Sequence, residues 1–267
     1  MSKKYGFIGA GNMATAIING LIFSKASKPE NIYVFDVSEE KLSLMKEKGV
    51  NTCKDGCEAV KESDIVVLAV KPQNYVEVLN TIKSVVDDDK IIVSIAAGIS
   101  IDFIRKNLEK NCKAVRVMPN TPLLLGKGAT ALCPSDNLSD EEFKPVYDMF
   151  ALGGEVEIFT EDHMNTIIAV NGSSPAYVYL FAKAMADYAK ENGIPYEKAM
   201  KLICATLEGS AAMLRESGDD ADTLIKKVSS PGGTTIAALD TLKEYNFYEG
   251  IKKAMDSCTK RAFELGK

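Results

Sequence analysis

The segment Gly9-Ala10-Gly11-Asn12-Met13-Ala14 has the spacing G-x-G-x-x-A, follows the apolar run Tyr5–Ile8 and opens a helical pattern. In that setting the three small residues have distinct roles. Gly9 permits a tight turn, Gly11 lets phosphates approach the backbone, and Ala14 allows a helix to pack closely on a strand. Free N–H groups and the helix dipole at such a start attract a pyrophosphate. Ile8, Gly9, Ala10, Gly11, Asn12 and Met13 are therefore read as a dinucleotide cradle. Asp36 closes the next apolar run, 22 residues after Ala14. A carboxylate there accepts hydrogen bonds from a ribose and repels a 2′-phosphate. Ser38 and Lys41 lie close enough in sequence to hold that phosphate instead. Asp36 also suits the N-cap of the helix that follows. On these residues the choice between NADPH and NADH stays open.

Two later runs end in Ala69-Val70-Lys71-Pro72 and Ala96-Ala97-Gly98. Both belong at the carboxyl edge of a parallel sheet, where such folds bind ligands. Small residues there leave room for adenosine and ribose, and Lys71 is either a ligand contact or a surface lysine. Met118-Pro119-Asn120-Thr121-Pro122 either offers Asn120 and Thr121 to the nicotinamide end and the substrate or is a rigid turn. Ser229-Ser230-Pro231-Gly232-Gly233-Thr234-Thr235 directly precedes a helix. Its N–H groups make an anion-binding arrangement, and a small carboxylate substrate is the economical ligand. A simple helix cap uses the same residue types. Asn171-Gly172-Ser173-Ser174-Pro175 starts another helix, and the Ser173 hydroxyl is a candidate for the same pocket.

The elements that must position these residues alternate in period. Tyr5–Ile8, Ile32–Phe35, Ile65–Ala69, Ile91–Ile95 and Ala114–Met118 read as buried parallel strands. Helical stretches lie between them at Met13–Phe23, Glu39–Lys48, Tyr75–Val86 and Asp102–Leu108. Gly128–Cys133 and Glu155–Phe159 are weaker strands around a helix from about Asp140 to Leu152. After Thr160 only helices are expected, at Ser174–Asn192, Tyr196–Ser217, Ala221–Val228, Thr235–Tyr245 and Phe247–Leu265. The expected fold is α/β: an N-terminal Rossmann domain over 1–160, with a doubly wound, mainly parallel sheet, then an all-helical domain over 161–267 for substrate binding and dimerisation. Met200, Ile203, Leu207, Ala211 and Leu214 would form one apolar stripe on the second of those late helices.

Composition narrows the function. A formal net charge of -5 gives no electrostatic case for nucleic acid or an anionic membrane. No apolar run approaches the ~20 residues of a membrane span, and Met1-Ser2-Lys3-Lys4 leads directly into a strand. A cytoplasmic location is expected. The six cysteines form no C-x-x-C pair, and His163 is the lone histidine. Neither a metal site nor a Cys-His nucleophile is therefore expected.

Taken together, Gly6–Ala14, Ala69–Gln73, Ser94–Gly98, Met118–Pro122, Gly172–Tyr177 and Ser230–Leu239 resemble the pyrroline-5-carboxylate reductase family, in the family's order and over nearly the full length. The resemblance implies reduction of the C=N bond of 1-pyrroline-5-carboxylate to L-proline by a nicotinamide hydride. It implies a helical homodimer, often assembled as a ring of five dimers. It places the substrate carboxylate on Ser230, Gly232, Gly233 and Thr234, and Thr235 against the ring nitrogen. The family usually accepts NADPH. Here Asp36 is acidic, Gly56 stands where relatives often have asparagine, and Lys227 where some relatives carry it. Two other readings compete. One is a 3-hydroxyacid dehydrogenase relative, for which Lys183 would be the catalytic lysine. The other is a non-catalytic dinucleotide sensor.

Overall fold

A computed structural model of the chain describes residues 3–266. The N-terminal part forms an eight-stranded sheet from β1 (Tyr5–Ile8), β2 (Ile32–Phe35), β3 (Asn51–Thr52), β4 (Ile65–Leu68), β5 (Ile91–Ser94), β6 (Lys113–Met118), β7 (Gly128–Pro134) and β8 (Gly154–Ile158). Their spatial order is β3-β2-β1-β4-β5-β6-β7-β8, and every neighbouring pair is parallel except β6 with β7. The first six strands have the doubly wound order of dinucleotide-binding sheets. β1, β4 and β5 are buried along their whole length, so their sequences run apolar without alternation.

Helices cover both faces. On one side α1 (Asn12–Phe23), α2 (Glu39–Glu47) and α6 (Asp140–Ala151) bury Ile17, Ile18, Leu21, Met45, Val146 and Phe150. On the other, α3 (Gly56–Lys61), α4 (Tyr75–Ile82), α5 (Ile101–Leu108) and α7 (Met164–Ile167) bury Val60, Tyr75, Leu79, Ile104 and Met164. Local chemistry sets the ends. Ser100 caps α5 by accepting the Phe103 N–H at 3.0 Å, and Glu109 ends it at a φ of 52°. Ser139 and Glu142 form a capping box at the start of α6. The pattern along the chain does not reveal β3 or α3. β3 is two exposed residues with no periodicity, and α3 is six residues started by the Asp55 side chain on the Glu58 N–H.

Helices alone follow Thr160 among the described residues, yet the compact unit built on the sheet runs on to Pro175 and takes in the chain from Ser257. Buried Arg116 on β6 explains part of this. It donates to Glu161 Oε1 at 2.8 Å and to Asn165 Oδ1 at 2.5 Å, fastening the segment after β8 to the sheet. A π turn over Ile168–Gly172 then leads into α8 (Ser174–Glu191). The change of pattern at 160 marks where strands stop, and contacts far apart in sequence set where the compact unit stops.

The second unit, Ala176–Asp256, holds most of α8, then α9 (Tyr196–Glu216), α10 (Ala221–Lys227), α11 (Thr234–Glu244) and the first half of α12 (Phe247–Leu265). Gly193, at a φ of 79°, stops α8, and the Ile194 N–H closes back on Ala189 O at 2.9 Å. The core of this unit is small: Ala182, Ala186 and Ala189 of α8 against Ala199 and Ile203 of α9, with Met200 and Leu207 alongside. The stripe expected on α9 is only partly buried, because Ala211 and Leu214 are exposed. So are Tyr179, Leu180, Leu202 and Tyr248.

Candidate active site

The cradle forms where β1 meets α1. Gly9 has a φ of 104°, and a Cβ there would lie 2.5 Å from Ala69 O, so the turn admits only glycine. Gly11 is the N-cap of α1, and no side chain caps the helix. A Cβ on Gly11 would meet nothing within 4 Å. Packing within the chain therefore does not require glycine here. No acidic residue sits in that first turn. Ala14 is fully buried against the sheet. These features fit a pyrophosphate on the N–H groups of Asn12 and Met13.

Asp36 is buried at the end of β2 and does not cap α2; Ser38 does, accepting the Lys41 N–H. Asp36 Oδ2 accepts from the Ala10 N–H at 2.8 Å and from Lys41 Nζ at 3.3 Å, while Oδ1 accepts from the Ser38 N–H at 2.9 Å. Burial alone would raise its pKa, but the Ala10 and Ser38 amides and the Lys41 ammonium outweigh that and hold the carboxyl below the ordinary aspartate value. The carboxylate thus ties β2 to the glycine loop and stays charged. The Lys41 side chain that pairs with it is half-exposed.

At the ends of β4 and β5, Ala69 and Val70 are half-buried and Lys71 is exposed. Pro72 opens a single 3-10 turn. Ala96 is buried and Ala97 half-buried. Gly98, at a φ of 82°, also answers to packing: a Cβ there would lie 2.6 Å from Ala262 O and 3.0 Å from Leu265 Cβ. Its smallness accommodates the last turns of α12.

Asn120 is buried and works as a clasp. Its Nδ2 donates to Asn171 O at 3.1 Å and its Oδ1 accepts the Ala129 N–H at 2.9 Å. Asn171 answers by donating to Met118 O at 2.7 Å and Ala129 O at 2.9 Å. Of the alternatives for this segment, the rigid turn describes the Asn120 side chain. Nothing in the local pattern marks Asn171 as its counterpart; the only sequence cue is an amide in a helical run just before Gly172. Ser173 is half-buried, and its Oγ accepts from the Cys258 thiol at 3.2 Å.

In the second unit, Ser230-Pro231-Gly232-Gly233 forms a tight turn. The Gly233 N–H bonds Ser230 O at 2.9 Å and Gly232 has a φ of 69°, the geometry of a type II turn with proline second. Gly233 is the N-cap of α11, and neither a side-chain cap nor an acidic residue neutralises the first turn. This differs from a simple serine cap, since no side chain there takes up the N–H groups. Thr235 sits half-buried in that first turn, and its hydroxyl has no hydrogen-bond partner among the described residues. Lys183 is exposed and paired with Asp187, which raises its pKa, the wrong direction for a catalytic base. His163 is exposed, with Nδ1 3.1 Å from Thr160 Oγ1.

A family model described as pyrroline-5-carboxylate reductase dimerisation matches residues 161–265, and one described as NADP oxidoreductase coenzyme F420-dependent matches residues 4–98. The pyrroline-5-carboxylate reductase of Escherichia coli is 38% identical over 100% of both chains. The chain belongs to the pyrroline-5-carboxylate reductase family. It is therefore an NAD(P)H oxidoreductase, with an NAD(P)-binding sheet followed by a helical dimerisation domain. Among solved structures, the Plasmodium falciparum pyrroline carboxylate reductase with NADP bound matches with a TM-score of 0.92 at 31% identity, covering 99% of this chain and 98% of that one. The Coxiella burnetii pyrroline-5-carboxylate reductase matches with a TM-score of 0.90 at 34% identity over 100% of both. Full-length family membership removes the dehydrogenase and sensor readings.

Proposed function

We propose that the chain reduces 1-pyrroline-5-carboxylate to L-proline, with residues 1–160 binding NADPH or NADH and residues 161–267 binding substrate and pairing two copies. The bound dinucleotide supplies a hydride to the ring carbon of the imine. Ile8 to Met13 hold its pyrophosphate, Asp36, Ser38 and Lys41 meet the adenosine ribose, and Ala69–Pro72 with Ala96–Gly98 flank the crevice. Asn120 acts through the turn that it clasps.

The observation that carries the substrate side is the uncapped start of α11 beside a Thr235 hydroxyl that has no partner among the described residues. The N–H groups behind Ser230, Gly232, Gly233 and Thr234 suit a carboxylate. The Thr235 hydroxyl can donate to an imine nitrogen or accept from a protonated one. A cyclic iminium needs no strong general base, only a fixed position and an electrostatic partner. The test is oxidation of NADPH or NADH that depends on 1-pyrroline-5-carboxylate, together with proline-dependent reduction of the oxidised cofactor at high pH. Failure of both refutes the assignment.

The exposed Leu180, Phe181, Leu202 and Tyr248, on a unit with so small a core, support a homodimer through the helical segment. A ring of five such dimers is the larger assembly that the resemblance implies. No described helix is long and apolar enough to cross a membrane. A cytoplasmic location belongs to the same proposal.

A further inference from the structure

Tyr75, the first residue of α4, is completely buried, with its phenol turned back toward the sheet. Its hydroxyl lies 2.8 Å from Leu68 O and 2.9 Å from Ser94 Oγ. The carbonyl can only accept, so the phenol gives its proton to Leu68, and the fully buried Ser94 hydroxyl donates to the phenol. The result is one chain of hydrogen bonds from β5 through Tyr75 to β4.

Its place in the sheet gives this chain meaning. Leu68 and Ser94 are opposite each other and are the last paired residues of β4 and β5. The next ladder bond, from Ile95 N–H to Leu68 O, is stretched to 3.4 Å. Beyond it one strand continues into Ala69–Pro72 and the other into Ala96–Gly98. Strands that part at a carboxyl edge open the crevice in which such sheets bind ligands. Phenylalanine would fill the same buried volume without bringing a polar atom into the core. A buried hydroxyl is costly unless bonded, so its presence is explained by the two strand ends that it joins. Burial pushes the phenol far up in pKa, although the Ser94 hydroxyl and the Ala96 and Ile95 amides pull the other way, and it remains a proton donor throughout the physiological range.

We propose that Tyr75 is a positioning residue for the dinucleotide: its hydroxyl, relayed by Ser94, pins the ends of β4 and β5 where they diverge and so sets the spacing of the two crevice walls. This rests on the reading that those walls hold the cofactor.

The experiment uses the full-length enzyme with NADPH as the probe. Tyr75→Phe raises the dinucleotide Kd and KM by about three- to tenfold, the size of effect expected when one hydrogen bond is lost. The kcat at saturating NADPH and the KM for 1-pyrroline-5-carboxylate stay within about twofold. Ser94→Ala, which leaves the phenol bonded to Leu68, moves the Kd the same way by less. The double variant is no weaker in binding than Tyr75→Phe alone, because the two hydroxyls act as one chain. A lowered Tm with unchanged Kd in both single variants overturns the proposal and leaves Tyr75 a purely structural residue. Gly11→Val separates the two levels. If a side chain placed before α1 leaves NADPH binding intact, the cofactor site itself is misassigned, and the role of Tyr75 falls with it.

Discussion

Replacing Thr235 with alanine isolates the proposed chemistry from the fold. The hydroxyl has no hydrogen-bond partner among the described residues, and Thr235 is half-buried in the first turn of α11. Its removal therefore strands no buried group. Alanine is also the better helix former, by a few tenths of a kcal/mol. Stability should stay within about 0.5 kcal/mol of the parent. The catalytic loss is of another size. A hydrogen bond to a charged partner contributes about 1.5–3 kcal/mol, so losing it with the protonated ring nitrogen lowers kcat/KM for 1-pyrroline-5-carboxylate by about ten- to 150-fold. The assay is initial-rate NADPH oxidation with substrate varied at saturating cofactor, alongside a thermal melt and a direct NADPH titration. Thr235→Ser keeps the hydroxyl and retains most activity. Full activity in Thr235→Ala refutes the role. A variant whose sole defect is weaker NADPH binding refutes it too, by moving the loop from substrate to cofactor.

Asp36→Ala removes the charge that opposes a 2′-phosphate and frees Lys41 to meet it, so the ratio of kcat/KM for NADPH over NADH should rise; an unchanged ratio would reduce Asp36 to a fastener of the glycine loop. The same carboxyl makes a pH prediction. Its folded pKa lies below the ordinary value of 3.8, so its stabilisation is fully present above that value and is lost as pH falls through the lower folded one. The stability gap between the parent and Asp36→Asn, measured by urea unfolding, should be constant near neutrality and narrow only below about pH 4. Asn171→Ala leaves Met118 O and Ala129 O without their side-chain donor and should cost about 1–2 kcal/mol in the same measurement. Light scattering at micromolar concentration should show a dimer or a multiple of it, and a monodisperse monomer contradicts the role assigned to the exposed helix faces.

Features coded over a few consecutive residues are legible in the sequence by itself. The strand that feeds Gly9, the glycine loop, the proline-glycine turn before α11 and the switch from strands to helices after Thr160 each rest on local backbone preferences and apolar period. The tertiary structure decided which partners those residues have, because the partners are far apart in the chain. Asp36 became the fastener of the glycine loop through an amide 26 residues away, and the cap of α2 passed to Ser38. Asn120 became a clasp through Asn171, 51 residues on, so its amide answers to the backbone before any ligand. Gly98 proved small for the sake of α12, and Tyr75, one aromatic among several at a helix start, joined the ends of two strands through Ser94. A side chain's type limits the hydrogen bonds it can make, but only the folded chain determines which donor or acceptor comes within about 3 Å of it.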